Sequence, residues 1–173
     1  MPDTAPRIDP YIARLLETLG SRDPLHVLAE TPDALRRGIA GMSQSQLSTM
    51  EAPGKWSARQ MLAHLADSEL VGAFRFRMIL AHDRPGIPAY DQDAWARNLR
   101  YEEADAALSL ETFSALRRAN LRILARATPE ELQRVGLHTE RGAESLGFLM
   151  KIYAGHDLVH LRQLARIRTA IGA

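Results

Sequence analysis

Between Ala143 and Ala170 the chain runs without a proline, and Leu149, Ile152, Tyr153, Leu164 and Ile167 fall on one face by the three-and-four spacing of a buried stripe. That spacing fits one stripe of an α-helix, because 3.6 residues complete a turn. A helix with such a stripe needs partners to cover it. Three further stretches offer matching stripes: Tyr11 to Leu19 with Gly20 as its stop, a run from Ser57 to about Ala81, and a run from Asp105 or Ser109 to Ala127. The expected fold is all-α, a four-helix bundle with extra short helices in the connections, forming a single domain over residues 1–173.

Local signals support these boundaries. Ser57 and Gln60 form a capping box at the head of the second run, where Trp56 is placed to staple onto Met61. Asp23-Pro24 and Thr31-Pro32 each set a capping side chain before a proline, predicting two short helical pieces. Thr128-Pro129-Glu130-Glu131 predicts another short turn. The segment His82 to Tyr90 contains Pro85, Gly86 and Pro88 and reads as a loop, followed by a short helix over Asp91 to Arg100. Few β-branched runs occur, so no strand ladder is expected. The first few residues and the last two or three are candidate flexible ends.

Composition narrows the chemistry. With 46% hydrophobic and 25% charged residues the chain falls in the globular range, and with no cysteine any metal must be held by nitrogen and oxygen. A net charge of +1 gives no broad footprint for nucleic acid. The arginines at Arg117, Arg118, Arg122 and Arg126, and at Arg162, Arg166 and Arg168, read as solvated faces and helix ends. Met1 to Pro10 holds no signal-peptide run and no stretch is apolar enough for a membrane span, so a cytoplasmic location without membrane partners is expected.

Two histidines interrupt the apolar stripe of the last helix. His156 and His160 are four apart, so their imidazoles project from one face on successive turns and can reach one ion. Gln163 lies one turn further. A third ligand must come from a facing helix, and His64 supplies it from the stripe that also carries Met61 and Val71. Three neutral nitrogens leave coordination positions open, as in a working site rather than a sealed one. A lone histidine on an apolar face is ordinarily a hydrogen-bonded core residue, and the spaced pair is what argues for a divalent ion.

The pattern Trp56-Ser57-x-x-Gln60-x-x-x-His64-x-x-Asp67-x-Glu69, followed by Gly155-His156-Asp157-x-x-His160-x-x-Gln163, resembles the DinB/YfiT-like superfamily of metal-dependent enzymes. Tyr90-Asp91-x-Asp93-x-Trp95 is similar to its DinB-like subgroup. The resemblance implies a four-helix bundle with a long crossover, a three-histidine site at His64, His156 and His160, and homodimerisation. It implies zinc or nickel, with iron or manganese as further options. It also implies a small-molecule substrate, including low-molecular-weight thiols in transferase relatives, whose thiol a metal would ionise. Hydrolysis by an activated water is the other reaction open to such an ion.

Secondary candidates keep two readings. Asp67 is a candidate catalytic base on bound water or an orienting partner of an imidazole, and a salt bridge explains Asp67 and Glu69 as well. Asp157 reads as structural. Tyr90, Asp91, Asp93 and Trp95 either line the mouth of a site or cap and pack a helix. His138 is a candidate neighbour of the site, whereas His26 and His82 read as exposed. The motif His156-Asp157-Leu158-Val159-His160 differs from a zincin His-Glu-x-x-His by one methylene, and the shorter carboxylate suits the general-base role badly. A non-catalytic metal-binding or stress-related dimeric bundle is the alternative to an enzyme.

Overall fold

A computed structural model describes residues 9–172. The expected flexible ends fall largely outside them, in residues 1–8 and at 173. Helix α1 spans Pro10–Leu19, α2 Pro24–Ile39, α3 Gln44–Ser48 and α4 Ala58–Ala81. Strand β1, Gly86–Ile87, precedes α5, Gln92–Asn98, and α6, Ala106–Leu124. Helix α7, Pro129–Leu132, leads into β2, Val135–His138, β3, Gly142–Ser145, and α8, Leu146–Ile171.

The bundle consists of α2, α4, α6 and α8, in which α4 and α2 each pack on both α6 and α8. The passages from α2 to α4 and from α6 to α8 therefore cross diagonally, and only α4 and α6 are neighbours both in sequence and in space. The first expected bundle helix, α1, lies outside this set and packs along α8. Its place is taken by α2, because the two short pieces expected there form one helix that continues through Pro32. Thr31 does not cap a new helix; its Oγ1 donates to the carbonyl of Val27 at 2.9 Å, inside the same one.

The predicted capping boxes at Ser57/Gln60 and Thr128/Glu131 are both formed, and α3 begins with another at Ser43/Gln46. Each satisfies backbone N–H groups that the first helical turn leaves without partners. Trp56 packs with Ala63, Ala96 and Tyr101, a cluster separate from that of Met61. Met61 is fully buried with Leu35 and Phe113, while the Trp56 ring lies 4.9 Å from that of His64.

A small sheet, unforeseen from the sequence, ties the connections together. Strand β1 pairs parallel with β2, and β2 pairs antiparallel with β3. Its strands have only two to four residues. Gly136 sits where an added Cβ would lie 2.9 Å from the Ile79 side chain, so the sheet rests directly on the end of α4. Residues Ala143 to Ser145, expected to begin the last helix, belong to β3 instead, and Ser145 caps α8. The loop after α4 and the hairpin before α8 are thereby fastened beside the same end of the bundle.

The expectation that Arg117 faces solvent is overturned, for it is 1% exposed at the centre of the bundle. Its Nη2 donates to Glu69 Oε2 at 2.8 Å and to Asp157 Oδ1 at 3.2 Å, and its Nη1 donates to Asp157 Oδ2 and the Leu28 carbonyl. Asn120 Nδ2 donates to the other oxygen of Glu69 at 2.7 Å. One guanidinium thus joins α2, α4, α6 and α8. Burial works against the charge, but Asp157 and Glu69 outweigh it and hold Arg117 above its ordinary pKa. Burial pushes Glu69 the other way, raising its pKa against the pull of Arg117; with five hydrogen bonds converging on these groups, we take the ionised network as the working state.

Candidate metal centre

The stripe predicted on α8 is inward: Leu149, Ile152, Tyr153, His156, His160, Leu164 and Ile167 are buried. His64 is buried opposite on α4. The three imidazoles meet edge to edge, with His64 Nε2 3.0 Å and His160 Nε2 3.1 Å from His156 Nε2. Ligand atoms of the three lie within 4.8 Å of one another.

Those spacings suit a shared cation. With metal–nitrogen bonds of ~2.0–2.1 Å, adjacent ligand nitrogens stand about 2.9 Å apart in an octahedral arrangement and about 3.3 Å in a tetrahedral one. Gln163 Oε1 lies 2.8 Å from His160 Nδ1. An oxygen there calls for a proton on Nδ1, which leaves the Nε2 lone pair facing the other two rings. Burial, reinforced by the charge of His160, lowers the His64 pKa to about 3. Burial also lowers His160, and burial with the charges of His160, His64 and Arg117 takes His156 well below its ordinary value. Neutral imidazoles are the form that binds a metal. The spacing of the Nε2 atoms and the neutral form of the rings together fit a divalent ion.

The surroundings are uneven. Gln163 orients His160, whereas His64 Nδ1 is buried with no partner among the described residues. Asp67 is half-buried one turn after His64, and its Oδ2 accepts from the Tyr101 hydroxyl at 2.6 Å. Glu69 and Asp157 do not contact the imidazoles through hydrogen bonds; both are committed to Arg117. That supports the structural reading of Asp157 and resolves Glu69 as an interhelix ion pair.

A cavity of about 300 Å³ opens beside His156 and is lined by Ser68, Arg75, Tyr90, His138 and Tyr153 among others. Of the loop candidates, Tyr90 lines this cavity, Asp91 caps α5 by accepting from the backbone of Asp93 and Ala94, and Trp95 packs on Tyr90 with ring centroids 4.8 Å apart. Asp93 lies on an outer groove with Trp56 and Gln60. His138 is buried on β2 and reaches the cavity. His26 and His82 are exposed, as expected. Arg75 was missed by the sequence reading; its position eleven residues after His64 on the same helix was the available signal. A larger groove of about 810 Å³ beside Arg118, Arg122 and Arg126 includes none of the three histidines. These arginines are exposed, as their spacing predicts.

Comparison with known proteins agrees with this geometry. A protein of Oceanobacillus iheyensis named "Putative metal-dependent hydrolase" is 28% identical over 143 residues, 83% of each chain. The Bacillus subtilis protein YfiT, which carries the same name, is 28% identical over 149 residues, 86% of this chain and 84% of its own. A solved structure of YfiT, described as "a probable metal-dependent hydrolase with an unusual four-helix bundle topology", superposes with a TM-score of 0.80 over 86% of each chain at 28% identity. The profile of the DinB superfamily matches residues 28–164, a span that includes all three converging histidines. The chain belongs to the DinB superfamily.

Proposed function

We propose that this protein is a metal-dependent hydrolase of a small molecule, with one divalent ion held by His64, His156 and His160. The observation that carries the reading is the approach of three Nε2 atoms from two helices to ligand spacing beside an open cavity. The names of the relatives support the reaction class. Zinc or nickel suits the all-nitrogen set, and iron or manganese is compatible with it.

A bound ion would supply Lewis acidity, lowering the pKa of a water or a thiol in an open position. His160 is turned by Gln163 to offer Nε2, and burial keeps the three rings unprotonated at neutral pH. Asp67 is the proposed base. Tyr101 occupies one of its oxygens and fixes the carboxylate beside the His64 turn, leaving Oδ1 to take a proton. Transfer to a low-molecular-weight thiol uses the same ion and remains the variant of this reading that a substrate panel separates.

The test is metal analysis of protein purified without a histidine tag, paired with His160→Ala. About one ion per chain in the wild type and near zero in the variant is expected. Hydrolysis is then assayed on ester, amide and thioester panels, with Asp67→Asn expected to lower kcat by roughly 10²–10⁴-fold while retaining metal. Near-zero metal in both proteins after incubation with zinc and nickel overturns the reading.

A further inference from the structure

The cavity beside His156 contains a buried cation with no carboxylate partner among the described residues. Arg75 is 5% exposed on α4, on the side that also presents Ser68 to the cavity. Taking a guanidinium out of water costs several kcal/mol unless a carboxylate or a full set of acceptors replaces the lost hydration. Arg117 has two carboxylates for this purpose. Arg75 forms no ion pair with any carboxylate of the described residues. Its Nη2 donates to the Pro88 carbonyl, and its buried Nε has no partner.

The Tyr153 hydroxyl gives Arg75 a neutral acceptor, which supplies no counter-charge, and His138 makes the shortage sharper. Arg75 Nη2 stands 3.2 Å from His138 Nε2. Yet His138 Nδ1 already accepts from the backbone N–H groups of Glu140 at 3.2 Å and Arg141 at 3.4 Å. Both ring nitrogens of His138 thus face N–H donors, and a neutral imidazole accepts at only one of them, so the site is short of an acceptor whichever nitrogen bears the proton. Burial and the cations Arg141 and Arg75 lower the pKa of His138, which favours that neutral form. Arg75 and His138 face the same space, and the phenols of Tyr90 and Tyr153 line it with them. Asp9 and Glu140 also line the cavity but are exposed, and Asp9 is occupied in capping α1.

We propose that Arg75, with His138 beside it, forms the receptor for an oxyanion, a carboxylate or a phosphate, carried by the substrate. The proposal rests on the metal reading only for where the opposite end of that molecule lies. Eleven residues separate His64 from Arg75, about 16 Å along the helix axis at 1.5 Å per residue. Helical side chains lean towards the N-terminus, so Arg75 reaches back towards the histidines. The arrangement suits an elongated anionic molecule with its reacting bond at the histidine end and its charge at the arginine end. A planar guanidinium takes two oxygens of one group at once, which supplies orientation as well as affinity.

Glutarate and inorganic phosphate, titrated separately into the metal-free full chain, test the proposal by calorimetry and by the NMR shift of the His138 ring. Saturable one-to-one binding of at least one anion is expected, and the tighter arm identifies carboxylate or phosphate. Arg75→Gln should weaken it by at least about tenfold with zinc stoichiometry unchanged. Arg75→Lys, which keeps the charge and loses the fork, should fall between them, and it serves as the variant if the glutamine protein does not fold. Absence of saturable binding of either anion by the wild type overturns the proposal, as does binding that a folded Arg75 variant leaves unchanged. Arg75-dependent anion binding in a chain that takes up no metal would remove the hydrolase reading and leave this receptor standing.

Discussion

The carbonyl oxygen of Leu28 accepts a hydrogen bond from Arg117 Nη1 at 2.9 Å, four residues before Pro32. In an uninterrupted helix that carbonyl would accept from the N–H of residue 32, which proline lacks. The proline that resembles a helix start therefore exposes an acceptor in the middle of α2, and the buried arginine of α6 fills it. The same guanidinium holds Asp157, the residue after His156, so the bundle's polar centre and its histidine cluster share a helix turn.

Replacing Arg117 with Ala should destabilise the protein by about 3–5 kcal/mol, because Glu69 and Asp157 would be left as buried, uncompensated carboxylates. Urea unfolding of the metal-free chain measures this. A combined Arg117→Met, Glu69→Leu, Asp157→Leu protein should recover much of the loss, since apolar groups need no counter-charge. A loss under 1 kcal/mol in Arg117→Ala would show that water already reaches the network.

Gln163→Leu should retain one ion per chain but bind it about 10–100-fold more weakly, as measured by competition with a chelator. The glutamine oxygen fixes the His160 tautomer, and leucine leaves the ring free to present either nitrogen. Unchanged affinity would mean that packing alone orients His160.

Acid should destabilise the metal-free chain from about pH 6.5 downward. The folded-state pKa values of His64, His156 and His160 are all lowered, so the unfolded chain binds more protons in this range. Their stabilising contribution is complete above the unfolded value near 6.5 and declines as pH falls towards the folded values, about 3 for His64. Each histidine contributes a slope of up to about 1.4 kcal/mol per pH unit. Urea midpoints at pH 7.5, 6.5 and 5.5 check the sign; His64→Phe should flatten the profile.

Gly155→Ala should loosen α1 from α8, because an added Cβ would collide with the backbone carbonyl of Leu15. Backbone cannot swing aside as a side chain can, so a cost of about 1–3 kcal/mol is expected. Hydrogen exchange should rise first in Pro10–Leu19. Protection unchanged there would show that α1 shifts without losing its packing.

The convergence of the histidines was legible because a helix converts sequence spacing directly into direction: four residues on α8 place two rings on successive turns, and the capped start of α4 fixes the face of His64. Arg117 and Arg75 were not legible in this way. Arginine at helical spacing ordinarily faces water, and only the positions of Glu69, Asp157 and His138, distant in sequence, distinguish these two from their exposed neighbours. The continuity of α2 was hidden because a proline after threonine has the form of a helix start, while the acceptor that lets the helix continue lies in α6. Strands of two to four residues containing Gly86, Gly136 and Gly142 give no alternation long enough to read.

The small sheet separates two parts of the cavity wall. The histidines stand on α4 and α8, where any shift disturbs the bundle, whereas Tyr90 and His138 are borne by chain that the β1–β2–β3 pairing clips on from outside. Ile87 and Gly136 of that clip press on Ile79 of α4 and are tied to the bundle, whereas Tyr90 lies just outside the strands, so the outer border of the cavity can change there while the helices that carry the imidazoles keep their packing.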